Sequence, residues 1–273
     1  MGSRTDSTIL MDLVILQTSL TMSTNDIMKN CIKRVLPDPV LFWISPKITW
    51  MYAKIFTWYT CGRYHSAPID PFEIYHINVE DIDRCLLTEG KSKFRYHDGV
   101  SEVVGGNWQA HTEDIEKRTI FKAFIRRFED NKKWKDTMYY EKVVSEISQG
   151  ETRWGCTSVS EFEQRLQSLD RLHKSLQNNG YRSQRYLRNM KNNDVAVRRI
   201  HEYWPPEFHE ITINISQNGE PILHEGRHRM YMAKVLGIKK IPVRIKTRHE
   251  SWQEKRNDVF NSNIYKNHFD LRF

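Results

Sequence analysis

Cysteine is scarce in this chain, and what there is follows no pattern. Cys31, Cys61, Cys85 and Cys156 never fall into a C-x-x-C spacing, which argues against a zinc knuckle and a dense disulfide framework and points to a reducing cytoplasm. A clean apolar run of membrane-spanning length is also missing. The run Ile9 to Leu20 is broken by Asp12 and has no small-residue cleavage site after it, so a secretory signal is not expected. Leu41 to Tyr59 is rich in aromatics, but Pro46, Lys47 and Lys54 interrupt it. Such a segment suits a helix packed on the main body or one lying on a membrane interface. Internal repeats and low-complexity tracts are absent too. Acidic residues are outnumbered, 34 against 42 Lys and Arg, giving a formal charge of +8 and a pI near 9.2. That balance favours a polyanionic partner, whether nucleotide, nucleic acid or anionic membrane surface, without choosing among them. At 273 residues the chain can bury one substantial core with a large appendage.

Periodicity sets out the elements. Phe72 to Asp83 alternates as a strand turning into a short helix, and Lys91 to Trp108, with Gly99, Gly105 and Gly106, reads as loop. Thr112, followed by Glu113, Asp114 and Glu116, has the pattern of an N-cap ahead of the stripe Ile120, Phe121, Phe124, Ile125 and Phe128. Asp136 is expected to cap a second helix ending at Gly150. The clearest helix runs from Ser158 to Asn179, with Ser158 and Glu161 at capping-box spacing, Phe162, Leu166, Leu169, Leu172 and Leu176 on one face, and Gly180 as its stop. Arg182 to His201 is basic and weakly periodic. Ile211, Ile213 and Ile215 alternate with polar residues as a half-buried strand, and Asn218-Gly219 is a hairpin turn returning through Pro221 to His224. A helix from Arg227 to Gly237 and a strand through Lys240 to Lys246 follow, with Pro242 near the strand's start where a missing N–H is tolerable. A mixed α/β core results.

The junction His224-Glu225-Gly226-Arg227-His228-Arg229 is electrostatically odd. A helix start carries unpaired N–H groups and the positive end of the helix dipole, so cations there are unfavourable by roughly 0.3–1 kcal/mol each. A bound anion reverses that sign. Backbone N–H groups, a glycine permitting close approach and two guanidinium forks together suit a phosphate. His228 is open to three roles: donor to a phosphate, acid or base, or structural histidine. Glu225 is a candidate Mg²⁺ ligand on a nucleotide, a general base towards a hydroxyl, or a salt-bridge partner of a neighbouring arginine. His224 and His228 stand four apart, but the first lies at a strand end, so no dedicated metal site is expected. Cys156 reads as structural, and Asn107 and Trp108 as either a roof over the pocket or a packing anchor. The basic run Arg182 to Arg199, with Tyr181, Tyr186 and Trp204, is either a solvated face or a track for nucleic acid.

In order, these segments resemble the ParB and sulfiredoxin superfamily. Leu169 to Gln184 is similar to its helix and glycine turn, Gly226 to Arg229 to its phosphate-binding turn, and Leu236 to Val243 (LGIKKIPV) to its closing turn and strand. The likeness is strong over Leu169 to Ile245 and weak before it. Gly105–Trp108, Trp134–Thr137, Trp154–Cys156, Gly180–Gln184 and Arg248–Trp252 further resemble segments of archaeal and bacterial members without an assigned role. The resemblance implies a ParB/sulfiredoxin-like α/β domain over 71–247, with a helical insertion at 84–150, a helical, aromatic extension at 1–70 and a C-terminal tail at 248–273.

Within that family, sulfiredoxins carry a catalytic cysteine directly after the turn's glycine. Arg227 stands there, so peroxiredoxin repair is not expected. The partition proteins bind CTP at this turn and read DNA with a helix-turn-helix beyond it, for which the 28 residues after Ile245 are too few. Free serine kinases of this fold use an acidic residue just before the glycine, where Glu225 stands. The resemblance thus implies a nucleoside di- or triphosphate with Mg²⁺ at Gly226, Arg227, His228 and Arg229. Arg182, Ser183 and Gln184 fall on a nearby nucleotide-side loop, and Glu225 and His228 are the catalytic candidates. Phosphoryl transfer or nucleotide hydrolysis is the enzymatic version. A nucleotide-gated or nucleic-acid-binding regulator, and a peripheral membrane partner recruited through 41–59, are the alternatives.

Overall fold

A computed structural model describes residues 38–88, 101–190, 204–262 and 267–273. The chain divides into two compact units, residues 1–48 and 49–273. Helix α1 (Asp38–Thr60) runs across that division, and the sheet and the remaining elements belong to the second unit. Among the described residues there are seven strands and seven α-helices in a mixed α/β arrangement.

The strands are β1 (Ile74–Asn78), β2 (Arg84–Leu86), β3 (Glu102–Val104), β4 (Thr112–Asp114), β5 (Ile211–Ile215), β6 (Pro221–Glu225) and β7 (Lys240–His249). They form one sheet in the order β1-β7-β5-β6-β2-β4, with β3 pairing the far half of β7. β7 organises the sheet. It runs antiparallel to β1 over Lys240–Arg244, parallel to β3 over Thr247–His249, and parallel to β5 along its other side. The hairpin β5–β6 turns at Asn218-Gly219, where Gly219 has φ +95° and a side chain would collide with the Trp252 ring at 2.5 Å.

Between the strands lie α2 (Thr119–Phe128), α3 (Met138–Ser148), α4 (Val159–Asn179) and the short α5 (Gln184–Asn189), then α6 (Arg227–Val235) after β6 and α7 (Glu250–Ser262) after β7. α4 forms as its spacing predicts. Ser158 accepts from the Glu161 N–H, Glu161 accepts from the Ser158 N–H, and Phe162, Leu166, Leu169 and Leu176 are buried. α2 and α4 pack on α6, and Ile211, Ile213, Ile215, Leu223, Val243 and Ile245 meet Met230, Met232 and Ala233 in the core.

Five expectations are corrected. Residues 84–114 are not helical throughout their described part, because β2, β3 and β4 join the sheet there with only the short 3-10 turn Trp108–Ala110 among them, and the α-helices between the sheet strands start after them. Thr112 therefore begins a strand rather than a helix. α2 starts at Thr119 after Arg118, and α3 is capped by Thr137, whose side chain accepts from the Tyr140 N–H, not by Asp136. β5 is buried on both faces, with Thr212 and Asn214 enclosed as fully as the isoleucines. Its polar face is covered: Asn214 bonds His224, and Phe208, stacked on Phe72, lies under Arg244. Finally, 248–273 is no loose tail. Arg248 and His249 end β7, α7 follows, and Asp270 is buried among Arg248, Trp252 and Arg256.

Candidate functional site

β6 delivers the chain to the turn and α6 carries it away. Gly226 sits between them in the left-handed region (φ +85°, ψ +23°), and a side chain there would press on Ile211 at about 3.0 Å. Its carbonyl accepts the Met230 N–H at 3.0 Å, closing the first turn of the helix. The N–H groups of Arg227 and Arg229 precede that bond and have no partner within the helix. The helix C-terminus closes as its sequence implies, with Gly237 at φ +63° and the Ile238 N–H reaching the Ala233 carbonyl at 2.9 Å.

Successive residues on a helix point about 100° apart, so the three side chains of the turn diverge. Arg227 reaches sideways to the Leu86 carbonyl on β2 (Nη2 to O, 2.7 Å), and its Nε is buried with no acceptor among the described residues. Arg229 is buried and donates to the His209 carbonyl. Its other terminal nitrogen, Nη1, lies 3.9 Å from Glu210 Oε2 and makes no hydrogen bond. His228 faces an aromatic wall, 4.6 Å from the Trp154 ring and 6.1 Å from Phe124. Glu225 stays at the strand end, 37% exposed, with Oε1 4.0 Å from His224 Nε2.

The loop before α5 reaches the Arg229 side of the turn. Glu210 Oε1 accepts the backbone N–H of Gln184, so one carboxylate joins Gln184 to Arg229. Burial pushes the Glu210 carboxyl up to about 7, against the opposing pull of Arg229 and the Gln184 N–H. Tyr181 lies beside the same pair. Its phenol is pushed up to about 12 by burial, and it stands near Arg229 without a hydrogen bond of good geometry. Ser183 caps α5 by accepting the Tyr186 N–H, and Arg182 lies over the Tyr186 ring at 5.2 Å. Of the expected loop residues, Gln184 therefore meets the turn through Glu210, while Ser183 and Arg182 serve α5.

Glu210 and Tyr181 carried only faint signals in the sequence: an acid after His209, and an aromatic after the glycine stop of α4. Trp108 is a packing anchor, wholly buried with Nε1 on the Val104 carbonyl at 3.2 Å and packed with Leu86 and Ile222. Cys156 is buried in a small turn in which its backbone pairs with that of Arg153. In the described part of the basic run, Arg185 pairs with Glu207, and Arg188 donates to the Trp204 carbonyl at 2.6 Å. Residues 191–203 of that run lie outside the described residues. A 360 Å³ cleft lined by Arg127, Lys133, Trp134 and Lys135 lies among the helices, but Asp170 already holds Arg127 and Glu163 holds Lys135. Among the described residues no group of three His, Cys, Asp or Glu is placed to hold a metal ion, and no helix is long and apolar enough to cross a membrane.

Compared with protein-family models, curated proteins and solved structures, the chain matches none.

Proposed function

We propose that this chain binds the phosphoryl groups of a nucleotide at the turn Glu225–Arg229, on a domain of the ParB/sulfiredoxin-like kind with α2 and α3 inserted between its strands. One observation carries the reading. Around the N-terminus of a nine-residue helix that no side chain caps, Arg227 and Arg229 each retain a buried N–H with no hydrogen-bond acceptor among the described residues. Buried guanidinium groups normally spend every donor, because an unmet one costs about 1–3 kcal/mol. Oxygens of a phosphate supply what is missing, and the helix dipole and the left-handed glycine favour the same ligand.

The catalytic version rests on Glu225. A half-exposed carboxylate at a strand end beside a phosphate turn fits a Mg²⁺ ion carried in with the nucleotide, and the ion would neutralise charge on the phosphates. Glu225 would then hold the ion, or take the proton of a hydroxyl acceptor while the turn fixes the phosphates. His228, set between Trp154 and Phe124, fits a positioning part in this scheme, holding the turn against its aromatic wall.

The test is thermal unfolding with ATP, ADP, CTP and GTP, each with Mg²⁺. A ligand at about 100 times its Kd adds about 2.7 kcal/mol, or some 5–10 °C in Tm for a unit of this size. If no nucleotide raises the Tm of the native chain, the reading fails. Glu225→Gln that binds without turnover supports catalysis, whereas native protein that binds without turnover is a nucleotide-gated regulator.

A second reading, association with a membrane surface, is favoured by α1. Met51, Tyr52, Ile55 and Trp58 are 53, 40, 57 and 60% exposed and fall at helical spacing on one stripe. Arg63 lies over the Tyr59 ring nearby. Tryptophan and tyrosine beside a basic residue suit the headgroup region. Flotation with anionic vesicles tests it, and an Ile55→Asp, Trp58→Glu variant that floats as well as native protein removes it.

A further inference from the structure

The turn has a second set of unmet donors on the side away from Arg229. Arg118, the residue that precedes α2, donates from Nη1 to Glu113 Oε2 at 2.8 Å, yet its Nε is buried without an acceptor. Arg227 is in the same condition: Nη2 is spent on Leu86, and Nε is buried and unmet. One helical turn after Arg227, and so on the same face of α6, Tyr231 is wholly buried. Phe121 and Phe124 hold its ring edge-on at 5.4 and 5.8 Å. Its hydroxyl stands beside the Cys85 thiol, Arg227 and Arg118, with no hydrogen bond of good geometry. Cys85, on β2, faces the same three side chains and Glu113.

Arg118, Arg227 and the Tyr231 hydroxyl are thus neighbours around Cys85, between β2, the start of α2 and the first turn of α6, and among the described residues two of their N–H groups and the O–H lack a hydrogen-bond acceptor. The charges there are two guanidinium groups against one carboxylate, Glu113. Burial raises the pKa of both Tyr231 and Cys85, so neither supplies a second negative charge at neutral pH. Without a second acid, the cluster is short of acceptor oxygens and of negative charge, and an oxyanion provides both.

We propose that Arg118, Arg227 and Tyr231 form a second phosphoryl subsite, so that the turn takes a diphosphate. One phosphoryl group rests on the N–H groups of α6 and Arg229, and its neighbour on Arg227, Arg118 and Tyr231. The proposal depends on the phosphate reading of the turn and narrows it to ligands with two linked phosphoryl groups.

Titration calorimetry on the full chain compares inorganic phosphate with pyrophosphate, and in parallel the mono- and diphosphates of adenosine, cytidine and guanosine. The native chain is expected to prefer the diphosphate member of a pair by tenfold or more. Arg118→Gln and Tyr231→Phe, the latter keeping the packed ring, are each expected to cut that preference about tenfold, the loss of one charge-assisted or buried hydrogen bond. Unchanged Tm values show that the variants fold. Equal affinity for mono- and diphosphates, or a preference that survives both substitutions, overturns the subsite and leaves phosphate binding at the turn standing. Failure of every phosphate compound to bind overturns both.

Discussion

Two clusters of buried arginine sit at opposite ends of the same logic. Around Asp270 everything is spent. Its carboxylate takes Arg248 through Nε at 2.9 Å and Nη2 at 2.6 Å, and Trp252 Nε1 at 2.9 Å. Arg256 gives Nε to the Asp270 carbonyl, Nη1 to Gln253 and Nη2 to the Pro68 carbonyl. Burial pushes the Asp270 carboxyl up, but Arg248 and Arg256 overrule it and hold it below the usual carboxylate range. Around Gly226, Arg118, Arg227 and Arg229 each keep a buried nitrogen with no hydrogen-bond acceptor among the described residues. The first cluster ties 267–273 to β7 and α7, and none of its buried side-chain nitrogens or oxygens lacks a hydrogen-bond partner. Residual donor capacity, rather than burial or charge as such, is what sets the proposed binding cluster apart from the structural one.

Substitutions at the two clusters should therefore behave differently. The largest effect belongs to Asp270→Ala, which strands the buried Arg248 guanidinium, removes the countercharge of buried Arg256, and is expected to lower stability by about 3–5 kcal/mol in urea unfolding. A loss under 1 kcal/mol would deny that this cluster is a lock.

Glu210 comes next, through pH. Its carboxyl is raised to about 7 in the folded chain from an ordinary 4.5. Between those values the unfolded chain gives up the proton and the folded chain keeps it, so stability falls as pH rises from 4.5 to 7 and then levels off. The span is on the order of 3 kcal/mol, and Glu210→Gln, which keeps an acceptor for the Gln184 N–H, should flatten it. Urea midpoints at pH 5 and 8 in both proteins check this, and an equal slope in the variant would place the titration elsewhere.

Gly226→Ala is expected to cost about 1–2 kcal/mol, because alanine resists φ +85° and its methyl presses on Ile211. It should weaken phosphate binding as well. The smallest stability change is predicted where the ligand effect is greatest. Arg227→Met exchanges a guanidinium with an unmet donor for an apolar chain of similar length, and stability should move by less than about 1 kcal/mol in either direction. Nucleotide stabilisation should disappear. A large destabilisation by Arg227→Met with binding intact would put Arg227 in the class of Arg248.

Much of the frame was legible because it depends on neighbours in sequence. The capping box of α4, the Asn218-Gly219 turn and the glycine stop of α6 are local hydrogen-bonding and steric choices, and each appears where its residues predict. Thr112 shows the limit of such reading. A threonine followed by acids looks like a helix start, yet Thr112–Asp114 pairs with β2 as a three-residue edge strand. Nothing within a stretch that short outweighs the partner strand it meets in space.

The turn was legible in the same way, down to the glycine and the two arginines at a helix start. Its surroundings were not. Glu210 lies 26 residues from the Gln184 N–H it accepts, and Arg227 lies 141 residues from the Leu86 carbonyl that takes one of its donors. The sequence by itself determined that cations would stand at the start of α6, since the glycine, the hairpin and the helix pattern are local. Only the tertiary structure decided which of their donors are spent and which are left unmet among the described residues, because acceptors come from strands and loops far along the chain.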